Sequence, residues 1–412
     1  MPQGTQTFVI VGASLAGAKA AETLRAEGFD GRVVLIGEEA SRPYERPPLS
    51  KEYLRGEKDL DAAAVHPAGF YDEHEIELRT SSPVRAIDPG KRSIALSSGE
   101  ELGYDRLLLA TGATPRRISV PGADLPGVLY LRSVEDADGL RQAIGPSAQV
   151  VVVGAGWIGA EVAASARQLG ASVAMVDLAA VPLERVLGPE IGAVYRDLHA
   201  ARGVGLHLGV GIEAIVGSES AEAVRLSDGT VLPASVVVVG VGVTPRVELA
   251  EAAGLAVDNG VLVDEHLETS SPGVFAAGDV ANAYHPRYGN RIRLEHWSAA
   301  LNQGRVAARS MLGRDVVYDR TPYFFSDQYD LGMEYRGWAP TYDEVVFRGD
   351  PASGAFLCFW LRSGTVAAVM NANVWDAADA IEALVRTDRP TDASRLADPD
   401  IDLAELAGSP GT

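Results

Sequence analysis

The N-terminal part of the chain alternates apolar runs with a glycine-rich turn and a helix-forming segment. Residues 8–11, FVIV, form a short β-branched run that leads directly into a turn at residues 12–17. Residues 18–27 are mostly helix formers, and residues 32–36, RVVLI, are again apolar. This order predicts one unit of strand, tight turn, helix and parallel strand.

The same pattern occurs a second time in the middle of the chain. Residues 149–153, QVVVV, precede a glycine-rich turn at residues 154–159. Residues 160–169 favour a helix, and residues 172–176, SVAMV, favour a strand. The chain therefore contains a coarse internal repeat of one βαβ unit.

Further apolar runs are expected to close each sheet. Residues 104–112 and 235–242 both end in glycine and stop shortly before a proline, which cannot continue a central strand. A third such run, residues 273–279, ends in Gly278 and Asp279.

The character of the sequence changes near Tyr318. Aromatic residues cluster, polar and apolar positions alternate, and no further glycine-rich turn follows a strand. We expect an antiparallel sheet there, with a helix near residues 376–386. The tail from Asp388 is rich in Asp, Pro and Ala and is expected to be extended along the surface.

Composition narrows the class of protein. With 412 residues the chain fits two or three domains, and 47% hydrophobic and 22% charged residues are ordinary globular values. A net charge of −20 argues against a nucleic-acid surface or an acidic membrane surface as partner. The seven histidines show no metal-ligand spacing. No apolar run is long enough to span a bilayer, and residues 1–6 lack a signal-peptide pattern, so a cytoplasmic location is expected.

The lone cysteine, Cys358, excludes several redox mechanisms. One thiol cannot form an internal disulfide, a CxxC pair or a four-thiolate cluster. This excludes flavoprotein reductases that relay electrons through two neighbouring cysteines. Because Cys358 lies in the apolar run FLCFW, we interpret it as a buried strand residue and not as a reactive thiol.

The second turn has the glycine spacing of a dinucleotide site. Gly154 would make the tight turn, Gly156 would let a pyrophosphate approach, and Gly159 would let helix and strand pack closely. Asp177 follows the next strand, where a carboxylate accepts hydrogen bonds from a ribose 2′-hydroxyl and repels a 2′-phosphate. This favours NADH over NADPH; the alternative is a purely structural turn.

The first turn differs at its centre. Gly12 and Gly17 keep the spacing, but Ser14 replaces the middle glycine. Its Cβ limits the closest backbone approach, although its hydroxyl can donate to a phosphate oxygen. Glu38 follows the second strand and is placed for a ribose hydroxyl.

Two such units imply two dinucleotides. A hydride carrier and a flavin are the natural pair, because nicotinamide delivers two electrons to the flavin. We therefore expect NADH and FAD. Asp279, after a buried strand and a glycine, can meet a ribityl hydroxyl of the flavin; the alternative is that it caps a helix.

Three more specific motifs carry a resemblance to a known family. Residues 46–51 (RPPLSK), 295–297 (EHW) and 326–330 (SDQYD) resemble the oxygenase-coupled, FAD-dependent NADH:ferredoxin reductases, the family of putidaredoxin reductase and of the ferredoxin reductase component of biphenyl dioxygenase. The resemblance runs from about residue 7 to about residue 396.

The resemblance implies an α/β fold with two Rossmann-like dinucleotide-binding domains, as in glutathione reductase, and a C-terminal α+β domain. It implies an FAD domain at residues 1–114 and 246–317, an NAD domain at residues 115–245, and a C-terminal domain at residues 318–412. NADH would reduce FAD, which would pass single electrons to an iron–sulfur ferredoxin.

The family's site residues carry over to matching positions. For FAD the resemblance implies Ala16, Glu38, Lys51, Val84, Arg132, Asp279 and Trp297, and for NADH it implies Gly156, Ile158, Glu161, Asp177 and Gly242. The turns and motifs add Gly12, Ser14, Leu15, Gly17, Arg46, Ala110, Thr111, Gly112, His296, Gly154, Trp157 and Gly159 as candidate cofactor contacts.

Lys51 and Glu161 are the candidate catalytic residues. A cation at Lys51 would stabilise negative charge on the reduced flavin ring, and Glu161 is expected to pair with it. The alternatives are an exposed lysine and an exposed helix glutamate. Residues 323–325, Tyr-Phe-Phe, stand where family members often carry tryptophan, which predicts an altered aromatic wall near the flavin.

The ferredoxin partner poses an electrostatic problem, because such ferredoxins are usually acidic and so is this chain. Arg305 and Arg309 lie four residues apart and share one helix face, with Arg314 nearby, so they are a candidate docking patch. The alternative is an ordinary exposed face. Other functions compatible with the scaffold are an NADH oxidase, a rubredoxin reductase, or a redox-controlled binding flavoprotein like apoptosis-inducing factor.

Overall fold

The computed structural model describes residues 6–387 and 389–408. Two compact units are present, and each is built from three segments of chain. The first contains Met1–Pro47, Asp59–Thr114 and Val243–Arg320. The second contains Pro48–Lys58, Pro115–Gly242 and Thr321–Thr412. The expectations for residues 1–5 and for Asp388 itself lie outside the described residues.

The first unit is organised on a five-stranded parallel sheet. Its strands, in spatial order, are Val274–Ala276, Arg106–Leu109, Thr7–Val11, Arg32–Ile36 and Ile76–Arg79. The central strands are apolar along their length, because a parallel sheet with both faces covered buries every side chain. The predicted βαβ unit is therefore confirmed at its predicted place.

Two helices cover this sheet at close range. The helix Leu15–Ala26 follows the first glycine-rich turn, and the helix Trp297–Met311 packs against it. A Cβ on Gly304 would lie 2.3 Å from the carbonyl oxygen of Ala16. Glycine is therefore required there, and it brings the second helix onto the start of the first.

The remaining elements of the first unit are short. Its other strands are Val84–Asp88, Ser93–Leu96, Glu101–Gly103, Val243–Pro245, Val261–Val263, Ala281–His285 and Asn290–Ile292, together with Ala113–Pro115, whose last residue belongs to the second unit. Its other helices are Leu60–Ala63, Phe70–Glu73 and Glu248–Ala252, with a 3₁₀ turn at Gly278–Val280.

The second unit repeats the parallel arrangement. Its strands are ordered Gly205–Leu208, Ser172–Asp177, Gln149–Val153, Val236–Val239 and Val128–Leu129. The helix Trp157–Gln168 follows the second glycine-rich turn, and a longer helix spans Glu184–Ala201. Beside this sheet lie three antiparallel strands, Ile212–Val216, Ala223–Leu226 and Val231–Pro233, and the helix Val134–Ala143.

The second unit also contains the antiparallel sheet expected near the C-terminus. Its strands are ordered Tyr323–Gln328, Leu331–Gly337, Thr365–Ala372, Phe356–Arg362 and Glu344–Arg348. The helix predicted near residues 376–386 is observed at Ala378–Arg386. Two 3₁₀ turns complete the unit, at Pro47–Ser50, which begins on the last residue of the first unit, and at Pro351–Ser353.

Cys358 lies in the middle of this sheet. Its side chain is fully buried in the strand Phe356–Arg362, and burial raises the pKa of the thiol well above its ordinary value. The interpretation of Cys358 as a buried strand residue is confirmed.

One face of the sheet packs on the helix Glu184–Ala201 through Leu187, Tyr195 and Trp360. This helix has a break at Gly188, whose φ of 82° lies in the left-handed region, and Pro189 follows it. The indole N–H of Trp360 donates to the carbonyl oxygen of Leu187 at 3.1 Å. The sheet thus supplies a donor beside the break in the helix.

The tail differs from the extended segment expected from its sequence. It forms two short helices, Ala393–Ala397 and Leu403–Leu406, each capped by the aspartate before it. Leu396 is fully buried and Leu403 nearly so, against the other face of the antiparallel sheet. The prediction of an extended tail was wrong because it relied on the overall composition. It overlooked the capping residues Asp392 and Asp402 and the apolar residues Leu396 and Leu403. Across residues 6–387 and 389–408, no helix is long and apolar enough to cross a bilayer.

Candidate functional site

The second glycine-rich turn has two glycines that packing requires and one that it does not. A Cβ on Gly154 would lie 2.4 Å from the carbonyl oxygen of Gly240, and one on Gly159 would lie 1.9 Å from that of Gly154. A Cβ on Gly156 would meet no described atom within 4 Å. The space beside Gly156 is therefore open for close approach by a ligand.

The helix that starts at this turn presents an anion-binding end. Gly156 occupies its N-cap position, so within the described residues no side chain caps the helix, and its first turn contains no acidic residue. The first backbone N–H groups and the positive end of the helix dipole thus remain for an anion such as a diphosphate.

Asp177 ends the strand beside this turn, as predicted. Its carboxylate accepts hydrogen bonds from the backbone N–H of Ala155 at 2.6 Å and from that of Ala179 at 2.8 Å. These bonds fix the carboxylate next to the turn. Asp177 is itself only partly buried, so a ligand can reach it.

The remaining candidates for the nicotinamide dinucleotide lie in the same unit. Ile158 is 41% exposed beside Gly156. Gly242 follows the strand Val236–Val239 with φ of 101°, a conformation that favours glycine. Trp157 packs edge-on against Tyr195 and Phe324, which gives it a structural contact as well.

In the first glycine-rich turn, packing likewise requires glycine at two positions. A Cβ on Gly12 would lie 2.0 Å from the carbonyl oxygen of Ala110, and one on Gly17 would lie 2.0 Å from that of Gly12. Ser14 is the N-cap of the helix Leu15–Ala26, yet within the described residues its side chain makes no capping hydrogen bond. Its hydroxyl is therefore available for the phosphate contact inferred from the sequence.

Glu38 has a partner that the sequence did not reveal. Arg246 donates two hydrogen bonds to its carboxylate, one of them at 2.9 Å, and the hydrogen bond from Arg246 lowers the pKa of Glu38. The carbonyl oxygen of Arg246 also accepts from the hydroxyl of Thr111 at 2.9 Å. An arginine directly after the closing proline, Pro245, is the signal that could have identified it.

Arg46 belongs to a second charged cluster in the first unit. It pairs with Glu39 at 2.8 Å, and Glu39 also accepts from the hydroxyl of Tyr44. Asp279 acts on Arg46 electrostatically. It lies inside the 3₁₀ turn Gly278–Val280, whose N-cap residue is Ala277 and not Asp279.

Other flavin candidates lie at the ends of elements. His296 is the N-cap residue before Trp297, the first residue of its helix, and burial lowers the pKa of His296 to about 4. Val84 begins a strand in the first unit. Of the residues assigned to FAD, Lys51 and Arg132 belong to the second unit and the others belong to the first.

Lys51 and Glu161 form the ion pair expected from the sequence. Both residues are 5% exposed, and Nζ of Lys51 lies 3.0 Å from Oε2 of Glu161. The same oxygen accepts from the hydroxyl of Ser50, and Oε1 accepts from the hydroxyl of Ser326 at 2.8 Å. Neither serine was singled out from the sequence, although both stand in the RPPLSK and SDQYD motifs.

Phe325 extends this cluster. Its ring centroid lies 5.6 Å from Nζ of Lys51, within the range of a cation–π interaction. One of the three aromatic residues noted at 323–325 therefore lies beside the candidate catalytic lysine.

Arg305 and Arg309 line a surface cleft on the helix Trp297–Met311. Two glutamates, Glu22 and Glu27, share the cleft, and Arg309 pairs with Glu27 at 2.7 Å. Arg305 makes no ion pair with any residue that the structure describes. The patch is thus less positive than the sequence suggested. Among residues 6–387 and 389–408, no cluster of His, Cys, Asp and Glu could hold a metal ion.

Known proteins match the chain over nearly its whole length. Residues 6–304 match the family described as pyridine nucleotide-disulphide oxidoreductase, and residues 323–407 match the reductase C-terminal family. The ferredoxin reductase subunit of 5,5'-dehydrodivanillate O-demethylase from Sphingobium sp. is 40% identical and covers 98% of each chain. The ferredoxin–NAD(+) reductase component of the anthranilate 1,2-dioxygenase system of Burkholderia cepacia is 40% identical, covering 96% of this chain and 98% of that protein.

A solved structure agrees with these relatives. The crystal structure of the covalent putidaredoxin reductase–putidaredoxin complex matches with a TM-score of 0.94 at 36% identity, covering 98% of each chain. The chain therefore belongs to the pyridine nucleotide-disulphide oxidoreductase family, whose members use FAD and NAD(P)H. The resemblance and the α/β fold class inferred from the sequence are confirmed.

The two kinds of glycine in the second turn give a testable contrast. Gly156→Ala should leave the fold and the FAD content unchanged, since its Cβ meets no described atom within 4 Å. It should weaken NADH binding about 10-fold, or about 1.4 kcal/mol, because the methyl group occupies space that the diphosphate needs. Titration of the oxidised protein with NAD⁺ or a non-reducing NADH analogue measures the dissociation constant.

Gly159→Ala is the matched control. Its Cβ would lie 1.9 Å from a backbone carbonyl oxygen, so this variant should lower the melting temperature where Gly156→Ala does not. Equal nucleotide binding by Gly156→Ala and the parent protein would show that the diphosphate lies elsewhere.

Proposed function

We propose that the protein is an NADH-dependent flavoprotein that passes electrons through FAD to an iron–sulfur ferredoxin serving an oxygenase. The observation that carries the proposal is the combination of two dinucleotide turns with one fully buried cysteine. With a single cysteine the chain has no dithiol that could take electrons from a bound flavin, so the electron acceptor would be external to the chain. Relatives named as ferredoxin reductase components of oxygenase systems support the same acceptor.

The residues present fit both cofactors. Gly12, Ser14, Leu15, Ala16 and Gly17 would bind the FAD diphosphate, with Glu38 at its ribose and Asp279 at its ribityl chain. Further FAD contacts would come from Arg46, Val84, Ala110, Thr111, Gly112, Arg132, His296 and Trp297. Gly154, Gly156, Trp157, Ile158, Gly159, Asp177 and Gly242 would bind NADH.

The chemistry belongs to the cofactors. When bound, FAD accepts a hydride from NADH and releases its electrons one at a time. The protein's part would be to bind and orient each dinucleotide and to supply charge. Lys51 would oppose negative charge on the reduced ring, and Glu161 would hold the lysine ammonium in place.

A three-domain organisation accompanies this function. We assign FAD binding to residues 1–114 and 246–317, NAD binding to residues 115–245, and a C-terminal domain to residues 318–412. Buried apolar residues between Val346 and Leu403 form a cluster of their own, which supports the assignment of a C-terminal domain. We place the protein in the cytoplasm, where NADH is the available reductant.

Ferredoxin dependence tests the function. The purified protein should be yellow, release FAD on denaturation, and reduce cytochrome c with NADH only when ferredoxin is added. Rapid oxygen consumption without ferredoxin would indicate an oxidase. A long-lived charge-transfer complex with slow turnover would indicate a redox-controlled binding protein. Failure to bind FAD would overturn the proposal.

Nucleotide preference provides a second test. Asp177→Asn keeps the size of the side chain and removes its charge, so it should lower kcat/KM for NADH relative to NADPH by about 10-fold. Asp177→Glu, which keeps the charge, is the control and should still prefer NADH. A parent protein that uses both nucleotides equally would show that Asp177 does not meet the 2′-position.

Docking is proposed at Arg305 and Arg309. Both partners are expected to be acidic, so a local cationic site must support encounter, and rim charges act mainly on association rate. Because Arg309 already pairs with Glu27, we assign the larger part of the attraction for ferredoxin to Arg305.

Charge reversal tests this patch. Arg305→Glu/Arg309→Glu should raise the KM for ferredoxin several-fold at low ionic strength and leave NADH reduction of the flavin unchanged. Arg196→Glu/Arg225→Glu changes the net charge equally, at two exposed ion pairs outside the patch, and should have a smaller effect. If both double variants titrate ferredoxin alike, the docking surface lies elsewhere.

A further inference from the structure

A row of buried polar side chains leads away from Glu161 within the second unit. The hydroxyl of Ser326 lies 2.8 Å from Oε1 of Glu161, and Nε2 of Gln328 lies 3.3 Å from that hydroxyl. Oε1 of Gln328 lies 2.9 Å from Nε2 of His199, and the hydroxyl of Tyr329 lies 3.2 Å from Nδ1 of His199. Ser326, Gln328 and His199 are each at most 1% exposed.

Donors and acceptors along this row have one consistent direction. The carboxylate of Glu161 can only accept, so Ser326 donates to it and must accept from the amide N–H of Gln328. The amide oxygen of Gln328 then faces His199 and accepts from its Nε2–H. Nδ1 of His199 is left as an acceptor, and the hydroxyl of Tyr329 donates to it. Every donor in the row thus points toward Glu161.

The state of His199 agrees with this direction. Burial lowers the pKa of His199 to about 4, so the imidazole is neutral and carries one N–H. Burial also raises the pKa of Tyr329 to about 12, which keeps its hydroxyl protonated as a donor. An imidazole with its proton on Nδ1 would reverse the amide of Gln328 and take the Ser326 proton away from Glu161.

We propose that His199 and Gln328 are positioning residues that act on Glu161 through Ser326. The tautomer of His199 fixes the orientation of the Gln328 amide, and the amide fixes the hydroxyl of Ser326. Oε1 of Glu161 therefore always accepts a hydrogen bond from Ser326. Oε2 is then left to Ser50 and Lys51. Without the row, the carboxylate would turn toward Lys51, cancel more of its charge, and displace the ammonium from the place where it serves the reduced flavin.

This inference reaches beyond the pairing of Lys51 with Glu161, and only its kinetic consequence rests on the proposed function. His199 lies on the helix Glu184–Ala201, while Ser326 and Gln328 lie on the strand Tyr323–Gln328. The antiparallel sheet would thus influence hydride transfer indirectly, because its residues Ser326 and Gln328 orient Oε1 of Glu161.

The tautomer of His199 is tested on the unaltered holoenzyme. Nitrogen-15 NMR of histidine side chains at neutral pH should show His199 neutral, protonated at Nε2 and unprotonated at Nδ1. The resonance is assigned by its loss in His199→Phe or, if that variant does not fold, in His199→Gln. A proton on Nδ1, or a charged ring, would overturn the proposal whether or not the protein transfers electrons.

The link to Glu161 is tested by a double-mutant cycle in stopped-flow reduction of the flavin by NADH. His199→Phe should slow the rate constant at saturating NADH by about 3- to 10-fold and leave the dissociation constant for NADH unchanged. In a Glu161→Gln background the same substitution should change the rate less than about 2-fold. Equal effects in both backgrounds would show a merely structural role for His199.

Two controls complete the cycle. His285 is 1% exposed and bonded to the carbonyl oxygen of Arg320 in the first unit, so His285→Phe tests the cost of replacing a buried histidine and should leave the rate constant unchanged. Ser326→Ala should slow flavin reduction as His199→Phe does, and Ser326→Thr, which keeps the hydroxyl, should restore it. A Ser326→Ala variant with the parent rate would also overturn the proposal.

Discussion

The buried carboxylate of Glu161 links separate stretches of chain within the second unit. A carboxylate that is 5% exposed must be compensated, because an unpaired buried charge costs several kcal/mol. Its compensating groups come from separate stretches of chain: Ser50 and Lys51 from one, Ser326 from another. Together with the hydrogen bonds Tyr53–Asp138 and Ser165–Ser50, these contacts join residues 48–58 to the second unit, although the segment interrupts the first unit in sequence. Removing one partner of such a pair costs about 3–5 kcal/mol, because the other charge is left buried without compensation, so all three segments must be in place for Glu161 to remain paired.

The two glycine-rich turns are constrained by backbone contacts in the protein itself. At Gly12 and Gly17 in one turn, and at Gly154 and Gly159 in the other, any Cβ would lie 2.4 Å or less from a backbone carbonyl oxygen. These positions would need glycine even without a ligand. The middle position carries the functional information, since Gly156 is free of such contacts and Ser14 stands there in the other turn. The first and last glycines of each turn are therefore required by the fold, whereas the middle position is the one that can serve ligand binding.

Much of the fold could be predicted because its signals are local. Apolar runs, glycine turns and the alternation after Tyr318 identified both parallel sheets and the antiparallel sheet, and the helix boundaries differ by only a few residues. Contacts between distant segments left no such signal. Arg246 lies 208 residues from Glu38, and Ser326 lies 165 residues from Glu161, so neither pairing follows from spacing. The tail was misjudged for a related reason: Leu396 is buried by a sheet that composition alone does not reveal.

The position of Glu161 on its helix explains why compensation must come from elsewhere in the unit. The helix Trp157–Gln168 has no acid in its first turn, which leaves its positive end for an anionic ligand. Glu161 stands just beyond that turn, where the stabilising effect of the helix dipole has largely fallen off. A carboxylate closer to the end would gain from the dipole but would repel a diphosphate. Placing the acid one turn later separates the two charges, and it makes the lysine and the serines of other segments necessary. One helix can then serve a nucleotide at its end and a cation on its flank.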